Sequence, residues 1–269
     1  MARGLQLLTG RVEKPGATIT AVTMDTGDTN TVRNAEFANP IRLLSMWANS
    51  AAAGLMRIRS SLLHDAVNGI RMRFNANEPS ELLPDYTYQL LKPQDLLTIE
   101  ATGAAGAGEW VTTNLLIEYD NLPGVNAQLV AWNQIEGNIE HLMGVECNIT
   151  TSATIGQYGG EQAINTNFDN FRVNQYYAVL GYTTDTACSA VHLLGVDFGN
   201  LRLGGPGNLR KELTVNWFVD LSMREGQPRI PVFNSANRAG LTVGAVSTTA
   251  SATPNVTFIL ALLKSYQPV

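Results

Sequence analysis

Apolar and polar residues alternate along much of this chain, the pattern of strands with one buried face. In Leu55–Arg59 and Gly69–Phe74 apolar side chains take every second position and arginines fill most of the others, so the two sets face opposite ways. Ala17–Met24, Leu96–Ala101, Trp110–Tyr119 and Tyr176–Tyr182 read as further strands, as do Ala190–Asp197, Leu213–Met223, Leu241–Val246 and Val256–Leu263. Clusters of Gly, Pro, Asn and Asp separate them, at Asn75–Pro84, Gly103–Gly108, Gly204–Asn208 and Arg224–Pro231. Many strands at short spacing with turn chemistry between them predict an all-β sandwich or barrel.

Helix signals are few. Pro40–Ala53 is Ala-rich, with a proline near its start and Gly54 as a stop. Asn126–Leu142 has apolar residues at roughly helical spacing, broken by Gly137. For both segments helix and non-helix remain equal alternatives. No strand–helix alternation supports a doubly wound sheet.

A weak internal repeat divides the chain. Leu97–Ala101 and Leu241–Ala245 share a pattern at an offset of 144 residues, and the same offset carries Thr113 to Thr257 and Leu116 to Leu260. Each half therefore ends in a strand, a small-residue loop and a strongly apolar strand. With 269 residues, enough for two domains of about 130 each, the predicted units are 1–122 and 123–269.

Only 15% of residues are charged, below the usual ~25%, and Thr, Ser, Asn, Gly and Ala take their place. A charge-poor surface suits a chain that packs against other subunits, because interface cores are depleted in Lys, Glu and Asp. The net charge of −5 argues against a nucleic-acid binder, which carries a basic footprint. Residues 1–73 nonetheless hold nine basic side chains against five acids, which reads either as scatter or as a basic face toward an anionic layer. Cys147 and Cys188 match no metal or redox spacing and read as buried thiols. The start has too short an apolar run for a signal peptide, and no stretch reaches the ~18 apolar residues of a membrane span, so synthesis in the cytosol is expected.

Catalytic motifs are missing. His64, His141 and His192 are scattered, and no zinc spacing, nucleophile elbow or phosphate loop occurs. The glycines of Gly103–Gly108 have the wrong spacing for a dinucleotide fingerprint and precede a strand. The carboxylates Asp25/Asp28 and Glu78/Glu81/Asp85 lie in loops without an EF-hand pattern, so no cofactor is expected and structural calcium stays open. The sequence predicts a protein that is not an enzyme. A carbohydrate-binding β-sandwich, with Trp47, Trp110, Trp132 and Trp217 as a stacking platform, is the alternative.

Two β-rich halves, each closing in strand, loop and apolar strand, together with Arg229–Asn237 ahead of the last hairpin and the closing Val256–Leu263, resemble the double jelly-roll major capsid proteins of icosahedral internal-membrane viruses of the corticovirus and tectivirus kind. The resemblance covers the whole chain in architecture. It implies two tandem eight-stranded jelly-roll β-sandwiches with a few short helices. It also implies homotrimeric capsomers of pseudo-hexagonal outline that tile a bacteriophage virion over a lipid membrane. The partners it implies are the chain itself, neighbouring trimers, minor capsid, vertex or membrane proteins and the underlying bilayer, with no sequence-specific nucleic-acid contact. Under it, Arg3, Arg11 and Lys14 belong to an inner arm touching the membrane or a neighbouring trimer, dispensable for the trimer itself. The loops Asn75–Pro84 and Asn148–Asn170 would face outward or meet neighbouring trimers. One departure is that the predicted helices are few, whereas such jelly rolls usually carry one helix between the fifth and sixth strands of each half.

Overall fold

The computed structural model describes residues 3–25, 31–33, 41–61, 65–79, 89–91, 96–120 and 127–266. Half of the residues are in strands and 11% in helices, so the chain is all-β. The first part contains β1 (Arg3–Glu13), β2 (Thr20–Ala21), β3 (Thr23–Met24), β4 (Thr31–Arg33), β5 (Ile41–Ser50), β6 (Gly54–Arg59), β7 (Ile70–Phe74), β8 (Gln89–Leu91), β9 (Leu96–Thr102) and β10 (Trp110–Asp120). The second contains β11 (Leu129–Val130), α1 (Trp132–Ile135), β12 (Ile139–Asn148), β13 (Gln162–Ala163), β14 (Tyr176–Thr184), β15 (Cys188–Leu194), β16 (Leu203–Gly207), α2 (Lys211–Thr214), α3 (Trp217–Met223), β17 (Ile230–Asn234), β18 (Thr242–Val246) and β19 (Asn255–Leu263).

These strands form four antiparallel sheets, an arrangement consistent with jelly-roll β-sandwiches. The orders are β3-β1-β10-β5-β8 and β2-β9-β6-β7 in the first part, then β11-β17-β14-β19-β12 and β13-β18-β15-β16 in the second, with β4 also paired to β9. The last strand of each part is an interior strand of its sheet: β10 between β1 and β5, β19 between β12 and β14. That interior place explains why Trp110–Tyr119 and Val256–Leu263 are so apolar, since both faces of an interior strand can be covered.

Two clusters of buried side chains fill the molecule. One, with Met46, Met56, Ile58, Ile99 and Leu115, lies between the two sheets of the first part. The other fills the second part and continues into Leu5, Leu7, Leu44, Trp47 and Leu116 on the opposite face of the β1-β10-β5 sheet. That sheet is therefore buried on both sides: one face closes its own sandwich and the other packs on β15 and β16.

The structure decides the two open segments and corrects two further readings. Residues 41–50, inside the helix candidate Pro40–Ala53, are strand β5, registered against β10 from Ile41 to Ser50. A register shift opposite Leu116/Ile117 offsets the strand by one residue, which places Leu43 and Met46 in one core and Leu44 and Trp47 in the other. A bulge thus produces i, i+3 spacing that imitates a helix. The second candidate, Asn126–Leu142, is helical only in α1 and a 3₁₀ turn at Glu136–Asn138, after which β12 begins.

Leu213–Met223, predicted as a strand, contains the helices α2 and α3. Residues 213, 215, 217, 219 and 221 are apolar at a period of two, but α3 buries Trp217, Phe218, Val219, Leu221 and Ser222, a set that contains the i, i+1, i+4, i+5 stripe of a helix. The helices lie between β16 and β17 and pack on β14. Gly181 makes room for them, since a Cβ there would lie 2.3 Å from the Val215 carbonyl oxygen. Finally, most of the turn read at Gly204–Asn208 belongs to the fully buried strand β16, Leu203–Gly207. Pro206 is tolerated because β16 is an edge strand of its sheet.

Candidate interaction surfaces

No group of three His, Cys, Asp or Glu could hold a metal among the described residues. A groove of about 590 Å³ is lined by Gly16, Gly54, Leu55, Arg73, Thr102 and Gly103 among others. Both cysteines are buried and free, and burial pushes each thiol up to about 12. No helix among the described residues is long and apolar enough to cross a membrane.

The polar residues gather instead along the seam between the two parts, in three groups. The first is a neutral network around Ser189 on β15. Its carbonyl accepts from Trp47 Nε1 at 2.7 Å, and its hydroxyl meets Asn114 Nδ2 at 2.8 Å and the Thr112 hydroxyl. Thr9 donates to Asn114 Oδ1 at 2.9 Å. The Trp47 and Trp217 rings meet edge to face across the same seam, 6.1 Å apart. These donors and acceptors are out of water, so Trp47, Thr112 and Asn114 find partners across the seam on Ser189, and that requirement fixes the docking register.

The second group is ionic. Arg229, fully buried, binds Glu118 through Nε at 3.3 Å and Nη2 at 3.1 Å, and Glu225 at 2.8 Å. Its Nη1 donates to the Leu221 carbonyl at 2.9 Å. Arg42 joins Glu225 at 2.6 Å and approaches Glu118 at 3.7 Å. Burial opposes the charge on Arg229, but Glu118 and Glu225 outweigh it and hold its pKa above the usual value.

The third group surrounds His192. Its Nε2 lies 3.0 Å from Glu161 Oε1, Tyr158 stacks edge-on at 5.1 Å, and the Arg202 guanidinium covers the Tyr158 ring at 4.2 Å. Tyr158 donates to the Leu7 carbonyl at 2.8 Å, and the Leu7 amide donates to the Arg202 carbonyl at 2.6 Å. Burial pushes the His192 pKa down, and the Glu161 hydrogen bond only partly restores it. The same hydrogen bond holds Glu161 below the carboxylate range, while burial raises Asp25 nearby.

This geometry relocates the residues read as an arm. Arg3 and Arg11 lie on β1, which pairs with β10 at every residue from Arg3 to Glu13 and is an interior strand of its sheet. Arg3 is engaged by Gln227 and lies 3.7 Å from Glu118, and Arg11 donates to the Ile155 carbonyl at 2.6 Å while covering Trp110. Lys14 follows at a left-handed turn, φ 37°. The three do not form one cluster, and the segment is a built-in strand rather than a projecting arm. The alternation of Leu5 and Leu7 within Arg3–Glu13 was the available signal.

The other named residues also separate. Trp47 and Trp217 are buried at the seam, whereas Trp110 and Trp132 are partly exposed, so the four make no single platform. Glu78 pairs with Arg210 at 2.5 Å. His64, Asp28, Glu81 and Asp85 lie outside the described residues. Of the loop 148–170, Ile149, Thr151 and Ile164 are buried, and Ile155 and Tyr158 meet β1, so much of it closes the seam.

The surface that stays open is unequal at the two ends. The outer face of β6 and β7 carries Arg57, Arg59, Arg71 and Arg73. On the other sandwich, β12 is an edge strand with Leu142 63% exposed.

No family model and no curated protein matches the sequence. Among solved structures, the PBSX exported protein XepA is similar over 96% of this chain and 86% of that chain, at 12% identity and a TM-score of 0.29. The triple jelly-roll fold of the turret assembly in an archaeal virus is similar over 98% of this chain and 80% of that chain, at 12% identity and a TM-score of 0.22. At such scores the architecture has to be read from the chain's own sheet topology.

Proposed function

We propose that this chain is a non-enzymatic viral capsid subunit built from two jelly rolls in tandem. The observation that carries the reading is the repeated strand order. With β3, β4 and β11 set aside, each part has eight strands. One sheet takes the first, eighth, third and sixth of them, as β1-β10-β5-β8 and again as β12-β19-β14-β17. The facing sheet takes the second, seventh, fourth and fifth, as β2-β9-β6-β7 and again as β13-β18-β15-β16. An eight-stranded jelly roll is two Greek keys wound in this order. The helices α2 and α3 fall between the fifth and sixth strands of the second unit, where capsid jelly rolls carry one.

A tandem pair of similar bodies lets three chains imitate a sixfold tile, so that one chain type covers a hexagonal lattice. Permanent contacts of that kind bury roughly 2,000–5,000 Å², which a charge-poor exterior favours. Native mass spectrometry with electron microscopy of the purified chain is the test. The expected result is three copies of the 29.1 kDa chain in a compact particle of hexagonal outline. A persistent monomer would overturn the reading.

A further inference from the structure

We infer that the arginine face of β6 and β7 and the outer face of β12 are the two halves of one head-to-tail contact between copies of this chain. The inference rests on the jelly-roll reading of the strand order and adds which faces meet and what holds them. Inside the chain, the first, eighth and third strands of one unit, β1, β10 and β5, pack on the fourth and fifth strands of the next, β15 and β16. The chain contains one further set of each kind. β12, β19 and β14 are the first, eighth and third strands of the second unit, and β6 and β7 are the fourth and fifth of the first. Both sets keep exposed side chains, Arg71 and Arg73 on β7 and Leu142, Glu146 and Asn148 on β12. A second copy can repeat across these faces the step that the seam makes within one chain.

The two faces are opposite in charge. Arg57 stands directly opposite Arg71 in the register, and Arg59 follows on the same side of β6. Like charges facing one another weaken a sheet. Glu100 binds Arg57 at 2.6 Å and Arg59 at 2.9 Å. That leaves Arg71 and Arg73 exposed and without a carboxylate partner among the described residues. On β12, Val145 and Cys147 enter the core, so Leu142 and Glu146 turn outward. Glu146 is exposed and has no cationic partner among the described residues. The apolar parts fit as well. Leu55, Arg73 and Thr102 stand in one row of their sheet and line the groove of about 590 Å³, a concavity for Leu142, which is 63% exposed. Two arginine faces would repel each other, so the contact joins unlike faces. Such a contact closes into a ring when its rotation closes and runs into a filament when it does not. With two similar units in each chain, equal steps close the ring at three chains.

The test is native mass spectrometry and sedimentation of the full-length chain over a concentration series. Arg71→Glu with Arg73→Glu should raise the concentration at which trimers half-dissociate on the order of tenfold, and Glu146→Lys about threefold. Arg71→Gln with Arg73→Gln, which removes charge without reversing it, should fall between the two. Combining the two glutamate substitutions with Glu146→Lys reverses both faces together, so that triple variant should recover trimers to within about twofold of the parent. Unchanged circular dichroism of each variant separates a lost contact from a lost fold. Trimers indifferent to every charge variant, or a folded triple variant no tighter than the double, would overturn the contact and leave the capsid reading standing. A parent chain that stays monomeric would overturn both.

Discussion

Strands β7 and β16 occupy the same place, fifth in their units and at the edge of the corresponding sheet, yet they share almost nothing in sequence. β7 reads Ile-Arg-Met-Arg-Phe and turns its arginines to solvent, whereas β16 reads Leu-Gly-Gly-Pro-Gly and is buried throughout. The difference lies in what covers them. Among the described residues the arginine face of β7 stays exposed, while β16 is pressed between β1 on one side and Tyr182 and Trp217 on the other. A Cβ on Gly205 would lie 2.4 Å from the Tyr182 hydroxyl and 2.5 Å from the Trp217 ring. Strand position thus sets the backbone, and the neighbour sets the side chains.

Removing residues 1–14 tests the seam most severely. It deletes β1, strips β10 of one of its two partners and uncovers β16, so circular dichroism should show loss of the cooperative transition rather than a folded trimer. Next comes Arg229→Met, which leaves Glu118 buried without its closest partner. Denaturant unfolding should show a loss of about 3–5 kcal/mol. Gly205→Ala should cost about 1–3 kcal/mol by overpacking. The corresponding arginines of β7 should behave differently: Arg73→Gln should change stability by less than about 0.5 kcal/mol. A large loss there would mean that the β7 face is covered after all.

Acid provides the smallest test. His192 has a folded pKa below its ordinary 6.5, so the unfolded chain takes up the proton first. Its contribution is present above about pH 6.5 and is lost as pH falls. Glu161, also depressed, acts in the same sense at lower pH, while the raised Asp25 opposes it there. The melting temperature should therefore fall between about pH 7 and pH 5, and His192→Gln should flatten that slope. An unchanged slope would remove His192 from the account.

Alternation and turn chemistry were enough to read β6, β7, β9, β10, β14, β18 and β19 from the residues, because each obeys a local two-residue period or a continuous apolar run bounded by turns. The offset of 144 residues likewise linked the closing strands of the two parts. What misled was any segment whose pattern answers to two surfaces at once. β5 is buried on both faces and carries a bulge, so its spacing looks helical. α3 is seven residues long, too short to display its period against the alternating apolar residues around it. β16 is written in turn residues because its neighbours leave no room for a Cβ: the Val191 carbonyl at Gly204, Tyr182 and Trp217 at Gly205, and Cys188 at Gly207.

The seam lay beyond reach for the same reason. Ser189, Asn114, Glu118 and Arg229 carry no motif, and their significance arises only when residues 75 to 111 positions apart are brought within hydrogen-bond distance. The chain by itself determined that it would be β-rich, duplicated in part and poor in charge, since periodicity and composition are properties of neighbours along the backbone. Only the tertiary structure decided which sheet faces would be shared between the two parts and which left open. That choice is made by contacts across the fold, where burial and desolvation act without regard to distance in sequence.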